Sequence, residues 1–329
     1  MPMTLLAALA VAAAIQSASA PAPAAMELSA PGPAGPLRGT LLTPADASGA
    51  AAPVVLIVPG SGPTDRNGNG PLGLRASTYR LLAEGLASRG IATVRIDKRG
   101  MFGSAAAVPD ANAVTLDDYA TDVRSWVTTI RQRTGAACVW VLGHSEGGLV
   151  GLRAATRDSA GVCGLILVAT AGRPLGAVLR TQLRANPANA PLLDNAMTVL
   201  AALEAGHAVA AADIEPALLP LFAPAVQRFL MSELTVDPAA LLAGYEKPAL
   251  IVQGLRDLQV ERDDAERLKR ANPRAALVLI GDANHVLKAV DGDDRQQNIA
   301  TYGNPDLPLA AGVVDAIARF VLRAPEMPR

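Results

Sequence analysis

Residues 138–157, CVWVLGHSEGGLVGLRAATR, contain the pentapeptide Gly143-His144-Ser145-Glu146-Gly147. An apolar run typical of a strand, Cys138 to Leu142, leads into it, and an apolar helical pattern, Gly147 to Thr156, follows it. A G-x-S-x-G sequence at such a junction is typical of a sharp strand-to-helix turn that exposes a serine hydroxyl. Ser145 is therefore the candidate nucleophile. The alternative is a serine that merely caps an ordinary helix.

On both sides of this turn, strand patterns alternate with helical patterns. The predicted strands are Leu37–Leu42 at an edge, Val54–Val58, Ile91–Ile96, Val139–Leu142, Leu165–Val168, Ala249–Val252 and Ala276–Ile280. The predicted helices are Thr78–Ser88, Leu116–Arg133, Gly147–Thr156, Asp263–Arg270 and Val313–Leu322. Short, continuous β-branched runs predict strands that are buried on both faces. The pattern therefore predicts an α/β fold, with a mostly parallel central sheet and helices on both faces.

Three segments depart from this alternation. Residues 1–20 combine an apolar run with the small-residue site Ala18-Ser19-Ala20, which predicts a signal peptide and an exported protein, periplasmic or extracellular. Residues 21–36 are rich in Pro and Ala and are interpreted as a lead-in to the fold. Residues 173–245 have helical patterns and many prolines but no strand pattern, which predicts an inserted helical cap over the site. The two parts of the core are then 37–172 and 246–329.

Composition excludes several functions. The chain has 29 basic and 30 acidic side chains among 329 residues, so it lacks the basic surface that binds nucleic acid or anionic lipid. The apolar run Leu5–Ile15 has about half of the roughly 20 residues that a membrane span needs. We therefore expect no membrane association once the signal peptide is cleaved.

Two more polar residues follow predicted strands. Asp257 comes after Ala249–Val252, and His285 comes after Ala276–Ile280. Because parallel strands share their carboxyl edge, both side chains are expected beside Ser145. Ser145, Asp257 and His285 supply the nucleophile, carboxylate and base that acyl transfer needs. An ordinary loop or capping aspartate is the alternative for Asp257.

The other two histidines are weaker candidates for the base. His144 adjoins the serine and is expected to point elsewhere. His207 is predicted to lie in an Ala-rich cap helix, Ala201–Ala212.

These motifs, in the order Ser, Asp, His, resemble the α/β-hydrolase superfamily over about residues 54–322. The loop 59–69, PGSGPTDRNGN, is similar to that of bacterial exported esterases near the serine aminopeptidase S33-like hydrolases. The turn 97–104, DKRGMFGS, resembles the same group but has one extra residue, Met101 or Phe102. The histidine loop 284–288, NHVLK, also matches.

This resemblance implies a Ser-His-Asp acyl-enzyme mechanism that uses no cofactor. It also implies an oxyanion hole formed by the backbone N–H groups of Ser61 and Glu146. The cap is rich in Ala, Leu and Pro, which favours small-molecule substrates, namely small or apolar acyl esters.

Two other functions stay open. An S33-like peptidase acting on a short peptide would need a cap carboxylate for the free amino terminus, and the candidates are Glu204, Asp213, Glu215 and Glu233. The third hypothesis is a catalytically silent binding protein on the same fold.

The polar loop after Val54–Val58 has a second interpretation. Asp65, Asn67 and Asn69 match the opening of a calcium loop, but its twelfth position is Ala76 and a strand precedes it. We therefore predict no metal site. Instead, Asp65, Arg66 and Asn67 are expected to hold the loop rigid through Asx turns and an ion pair.

The two cysteines, Cys138 and Cys163, each begin an apolar run that is interpreted as a strand, Cys138 to Leu142 and Cys163 to Ala169. If these strands are neighbours joined by one helix, the sulfurs lie near the same edge and could be oxidised in an exported protein. The alternative is a pair of buried free thiols.

Overall fold

The central sheet has eight strands in the part of the chain that the computed structural model describes, residues 23–45 and 52–323. The predicted signal peptide, 1–20, lies outside these residues. The sheet order is β1-β2-β4-β3-β5-β6-β7-β8, in which β3 to β8 are parallel and β1 and β2 pair antiparallel. The strands are β1 (Ala24–Ala30), β2 (Leu37–Thr43), β3 (Val54–Val58), β4 (Ala92–Ile96), β5 (Val139–His144), β6 (Val162–Val168), β7 (Ala249–Gly254) and β8 (Ala276–Ile280).

Helices cover both faces of this sheet, as predicted. Alternate residues of β5 show why: Val139 and Val141 pack into one apolar core, and Trp140 and Leu142 into the other. The helices are α1 (Thr78–Ala87), α2 (Leu116–Thr134), α3 (Glu146–Arg157), α4 (Leu175–Ala185), α5 (Leu193–Glu204), α6 (Leu219–Phe222), α7 (Pro224–Glu233), α8 (Pro238–Ala243), α9 (Arg262–Ala271), α10 (Arg295–Ala300) and α11 (Val313–Arg323). The first core packs under α2, α3 and α9, and the second under α1 and α11.

The prediction that Leu37–Leu42 is an edge strand is wrong. The edge is β1, which lies within the segment interpreted as a lead-in, and β2 lies between β1 and β4. The sequence of β1 has no clear strand pattern, because only Leu28 and Ala30 are buried and its other residues are exposed. Backbone hydrogen bonds to β2 define this strand, and they leave little trace in the side-chain pattern.

Helices α4 to α8 lie between β6 and β7, and most of them share a small apolar core that includes Leu200, Leu203 and Phe222. The prediction of one helix over Ala201–Ala212 is wrong, because α5 ends at Glu204. Gly206 follows in the left-handed region at φ 79°, which is a common way to end a helix. His207 is consequently exposed in a loop.

Cys138 and Cys163 form a disulfide. Cys138 immediately precedes β5 and Cys163 lies in the adjacent β6, so the neighbouring strands bring the sulfurs together. The structure therefore contains the disulfide and not the pair of free thiols.

No helix in the described residues is long and apolar enough to cross a membrane.

Candidate active site

Ser145 occupies a sharp turn between β5 and α3, with φ 56° and ψ −122°. Glycines make this turn possible. A Cβ on Gly143 would lie 2.1 Å from the Gly147 carbonyl oxygen, and one on Gly147 would lie 2.3 Å from the Val58 carbonyl oxygen. Strained backbone of this kind is common where a reactive side chain must be held in place. Ser145 is thus a candidate nucleophile on a rigid support.

Asp257 and His285 lie in the loops after β7 and β8, and the structure brings them together. His285 Nδ1 lies 2.8 Å from Asp257 Oδ2, and both side chains are buried. Burial raises the pKa of Asp257, but His285 and the N–H groups of Val260 and Gln259 lower it more, so the net pKa shift is downward. An ionised Asp257 holds the proton on Nδ1 and leaves Nε2 free to act as a base.

Ser145 and His285 line one cavity of about 200 Å³ at the carboxyl edge of the sheet, together with Gly60 and Ser61. Within the described residues, hydrogen bonds to the His285 ring are found on its Asp257 side only. Hydrogen bonds between a serine and its base commonly tighten only in the substrate complex. The arrangement therefore places the candidate nucleophile and the candidate base in the wall of one shared cavity.

His144 lines the same cavity, but both of its ring nitrogens have other partners. Its Nε2 lies 2.8 Å from the backbone oxygen of His285, and its Nδ1 lies 3.0 Å from the Tyr79 hydroxyl. Burial, with the nearby His285 ring, lowers its pKa to about 3, so it is neutral. A neutral ring that donates from Nε2 must accept at Nδ1, which makes Tyr79 the donor there.

The two predicted oxyanion donors belong to residues that lie near the serine. Glu146 is the first residue of α3, and Ser61 follows β3 and lines the cavity. Among the described residues, neither backbone N–H donates to another protein group. Gly60, the residue before Ser61, holds this loop through two hydrogen bonds. Its N–H donates to Tyr79 Oη at 3.0 Å, and its carbonyl accepts from Lys98 Nζ at 2.7 Å.

Sequence reasoning missed Lys98 and Tyr79. Lys98 lies in the turn 97–104, DKRGMFGS. A lysine after a strand has many ordinary roles, and the neighbouring sequence does not indicate which group its ammonium contacts. Tyr79 shares a helical spacing with Leu82 and Leu86, and this pattern predicts only a core residue of α1. Its hydroxyl is buried beside the serine loop, and burial raises its pKa.

The polar loop after β3 is held as predicted. Asp65 Oδ1 accepts from the N–H groups of Asn67 and Asn69, both at 2.8 Å. Arg66 forms an ion pair with Asp97 at 2.7 Å, and its backbone N–H donates to the same carboxylate. These contacts confirm the Asx turn and the ion pair.

In the described residues no group of three or more His, Cys, Asp or Glu could hold a metal ion.

The extra residue in the DKRG turn is accommodated at its surface. Phe102 adopts φ 44° and begins a short 3₁₀ helix, Phe102–Ala107, with its side chain half exposed. Ser104 Oγ in this helix donates to the Asp97 carbonyl, so the turn remains attached to β4.

A second, larger cavity of about 430 Å³ lies on the cap side of Ser145. Its apolar walls include Val114, Leu149, Leu175, Val178, Phe229 and Leu230. Glu233 of α7 also lines it, although only 2% of this residue is exposed. Burial and the nearby Glu146 raise the pKa of Glu233.

The other three cap carboxylates are not placed to act there. Glu204 forms an ion pair with Arg180, and Asp213 and Glu215 are exposed. Glu233 is therefore the one of the four candidates that lines the cap-side cavity in the described structure.

Comparison with known proteins identifies the family of this chain. Residues 72–288, more than half of the chain, match the family described as serine aminopeptidase, S33. The chain belongs to this family. Among characterised relatives of this S33 member, esterase EstD of Thermotoga maritima is 29% identical over 276 residues. That match covers 82% of this chain and 62% of EstD, so the chain spans less than two thirds of its relative's length.

Solved structures show that this S33 member has the α/β-hydrolase fold. Est1E from Butyrivibrio proteoclasticus superposes with a TM-score of 0.55 and 18% identity, covering 91% of this chain and 98% of that one. The Pyrococcus furiosus esterase Pf2001 superposes with a TM-score of 0.58 and 16% identity, covering 92% and 91%.

Proposed function

We propose that this S33 family member is a serine hydrolase that cleaves carboxylic esters. The observation that carries the proposal is the Asp257–His285 hydrogen bond of 2.8 Å, because His285 lines the same cavity as Ser145. The family and the esterase relative support the same chemistry.

In the proposed mechanism, Ser145 Oγ attacks the acyl carbonyl while His285 Nε2 takes its proton. Asp257 stabilises the imidazolium that results. The N–H groups of Ser61 and Glu146 bind the oxyanion of the tetrahedral intermediate. Collapse expels the alcohol, which takes the proton from His285, and water then hydrolyses the acyl-enzyme by the same steps.

The two cavities suggest how an ester binds. Because His285 must protonate the leaving alcohol, the alcohol belongs in the cavity of about 200 Å³ that His285 lines. The acyl group then occupies the apolar cap-side cavity of about 430 Å³. We therefore expect the enzyme to tolerate acyl chains longer than acetyl and to prefer small alcohols.

A labelling experiment tests the nucleophile. The mature protein is treated with a fluorophosphonate, the adduct is mapped by mass spectrometry, and turnover of p-nitrophenyl esters is measured in parallel. We expect an adduct on Ser145 and turnover, and neither in Ser145→Ala. Retained turnover in Ser145→Ala would refute the assignment, and wild-type protein that shows neither would favour a silent binding protein.

Glu233 favours a second candidate function, aminopeptidase activity. No hydrogen bond to its carboxyl is found in the described residues, and it lines the cap-side cavity, where it could bind the amino group of a peptide. Turnover of aminoacyl p-nitroanilides that is lost in Glu233→Gln, without turnover of simple esters, would support this function. Ester turnover that survives Glu233→Gln would support the esterase.

We also propose that the protein is exported. The Cys138–Cys163 disulfide supports this, because such bonds persist in oxidising compartments. Cell fractionation with N-terminal sequencing tests it: the expected product is an exported form that begins near residue 21.

A further inference from the structure

Lys98 lies just after β4 and is only 4% exposed. Its Nζ donates to the Gly60 carbonyl oxygen at 2.7 Å and to Glu146 Oε1 at 2.9 Å. The same nitrogen lies 5.1 Å from the centre of the Tyr119 ring, whose face attracts cations. A buried charge therefore has three partners, and two of them belong to residues at the candidate oxyanion hole.

The Gly60 contact acts directly on one oxyanion donor. The Gly60 carbonyl and the Ser61 N–H belong to the same planar peptide group, so an interaction that holds the oxygen also sets the direction of the N–H. A cation at the oxygen polarises the peptide and makes its N–H a stronger donor. The Gly60 N–H, bonded to Tyr79 Oη, holds the loop from its other side.

The Glu146 contact acts on the second donor. Glu146 is the first residue of α3, and its backbone N–H is the other predicted oxyanion group. With its side chain held by Lys98, this residue is linked through one nitrogen to the peptide that carries the Ser61 N–H.

We propose that Lys98 is a positioning residue that orients both N–H groups of the oxyanion hole, and this rests on the proposed serine hydrolase function. Preorganised donors of this kind lower the barrier because they need no reorganisation as negative charge develops. Lys98 does not touch the reacting atoms. Its effect passes through the Gly60–Ser61 peptide and through Glu146.

A purely structural role would neutralise buried carboxylates instead. Glu146 is paired with Lys98, and Glu233 lies near both of them. That role predicts that replacing Lys98 lowers the stability of the protein. It predicts little change in turnover per folded molecule when the Glu146 carboxylate is neutralised as well. The two roles are thus separable by experiment.

The test compares Lys98→Met/Glu146→Gln with Glu146→Gln alone, because the double variant leaves no unpaired Glu146 carboxylate beside the site. Removing an oxyanion donor costs about 100-fold to 1,000-fold in kcat, so misorienting one should lower kcat about 10-fold to 100-fold. KM should change by less than about 3-fold, because the effect is confined to the transition state. Binding of a trifluoromethyl ketone analogue should weaken by about the same factor as kcat/KM.

Lys247→Met is the matched control. Lys247 Nζ also donates to two backbone carbonyls, those of Ser159 and Val162, but at the opposite edge of the sheet. The Lys247→Met substitution should therefore leave kcat unchanged. Active sites are counted by complete fluorophosphonate labelling, so that unfolded protein does not enter kcat.

Two results would overturn the proposal. One is a Lys98→Met/Glu146→Gln enzyme whose kcat lies within about 2-fold of Glu146→Gln, since that is too small for a lost oxyanion contact. The other is a rise in KM with unchanged affinity for the ketone. Failure of the hydrolase function itself looks different, because the wild-type protein would then show neither label nor turnover.

Discussion

His144 Nε2 donates a hydrogen bond of 2.8 Å to the backbone carbonyl of His285. The residue before the candidate nucleophile therefore holds the loop that carries the candidate base. On its other side, His144 Nδ1 accepts from Tyr79, which in turn accepts from the Gly60 N–H. One buried chain of hydrogen bonds thus connects the serine turn, the histidine loop and the oxyanion loop.

This chain predicts a pH dependence of stability. The folded-state pKa of His144 is about 3, far below an ordinary histidine, so the folded protein excludes a proton that the unfolded chain binds. Its contribution is complete above about pH 6.5 and is lost as pH falls toward 3, by up to about 1.4 kcal/mol per pH unit. Urea unfolding at pH 7, 6 and 5 should show a shallower loss in His144→Gln. The exposed His207→Gln is the control and should retain the wild-type slope.

Asp257→Asn should lower kcat by about 10,000-fold while leaving the fold intact. An asparagine amide facing Nδ1 favours the tautomer with its proton on Nε2, which cannot act as the base. Steady-state kinetics and circular dichroism measure the two effects. Asp293→Asn, at an exposed loop residue, is the control, and a similar loss there would argue against a specific role for Asp257.

Glu233→Gln should stabilise the protein at neutral pH. Burial raises the folded-state pKa of Glu233, so folding favours the protonated acid. Below about pH 4.5 both states are protonated and nothing is lost, whereas stability falls as pH rises toward the folded-state pKa. The thermal midpoint of Glu233→Gln should exceed that of the wild type at pH 7 and not at pH 4. An equal gain at both values would contradict a raised pKa, and exposed Glu246→Gln should show no gain.

Replacing both Cys138 and Cys163 with serine should lower the free energy of unfolding by about 3 kcal/mol, because the bond closes a loop with a sequence separation of 25. The kcat should stay unchanged, since the bond lies at the amino ends of β5 and β6, away from Ser145. Urea unfolding with and without dithiothreitol provides the check. Dithiothreitol should destabilise the wild type and leave the variant unaffected.

Gly148→Ala should disturb the serine turn. A Cβ there would lie 2.0 Å from Thr170 Oγ1, and overpacking of this kind costs about 1–3 kcal/mol. Gly151→Ala in the same helix is the matched control, because its nearest contact would be Val141 Cγ1 at 3.3 Å. We expect loss of stability and of turnover in Gly148→Ala only. Equal behaviour of the two variants would show that the turn tolerates the extra atom.

Much of the candidate site could be predicted from local pattern. The turn around Ser145 has glycines where the chain reverses, and Asp257 and His285 each follow an apolar strand. Parallel strands share one edge, so these positions converge without any detailed knowledge of packing. The same logic did not identify β1, because hydrogen bonding to β2 creates that strand rather than its own apolar pattern.

The sequence by itself determined where β2 to β8 and the core helices α1, α2, α3, α9 and α11 lie along the chain. It also determined the apolar character of both sheet faces and the residues that approach the carboxyl edge. These properties depend on periodicity and on turn residues that are near one another in the chain. Only the tertiary structure decided that Lys98 donates a hydrogen bond to Gly60, that Glu233 lines the cap-side cavity and that His144 donates one to His285. Each of these contacts joins or adjoins segments distant in sequence, and a hydrogen bond or a buried charge depends on distances that a local pattern does not contain.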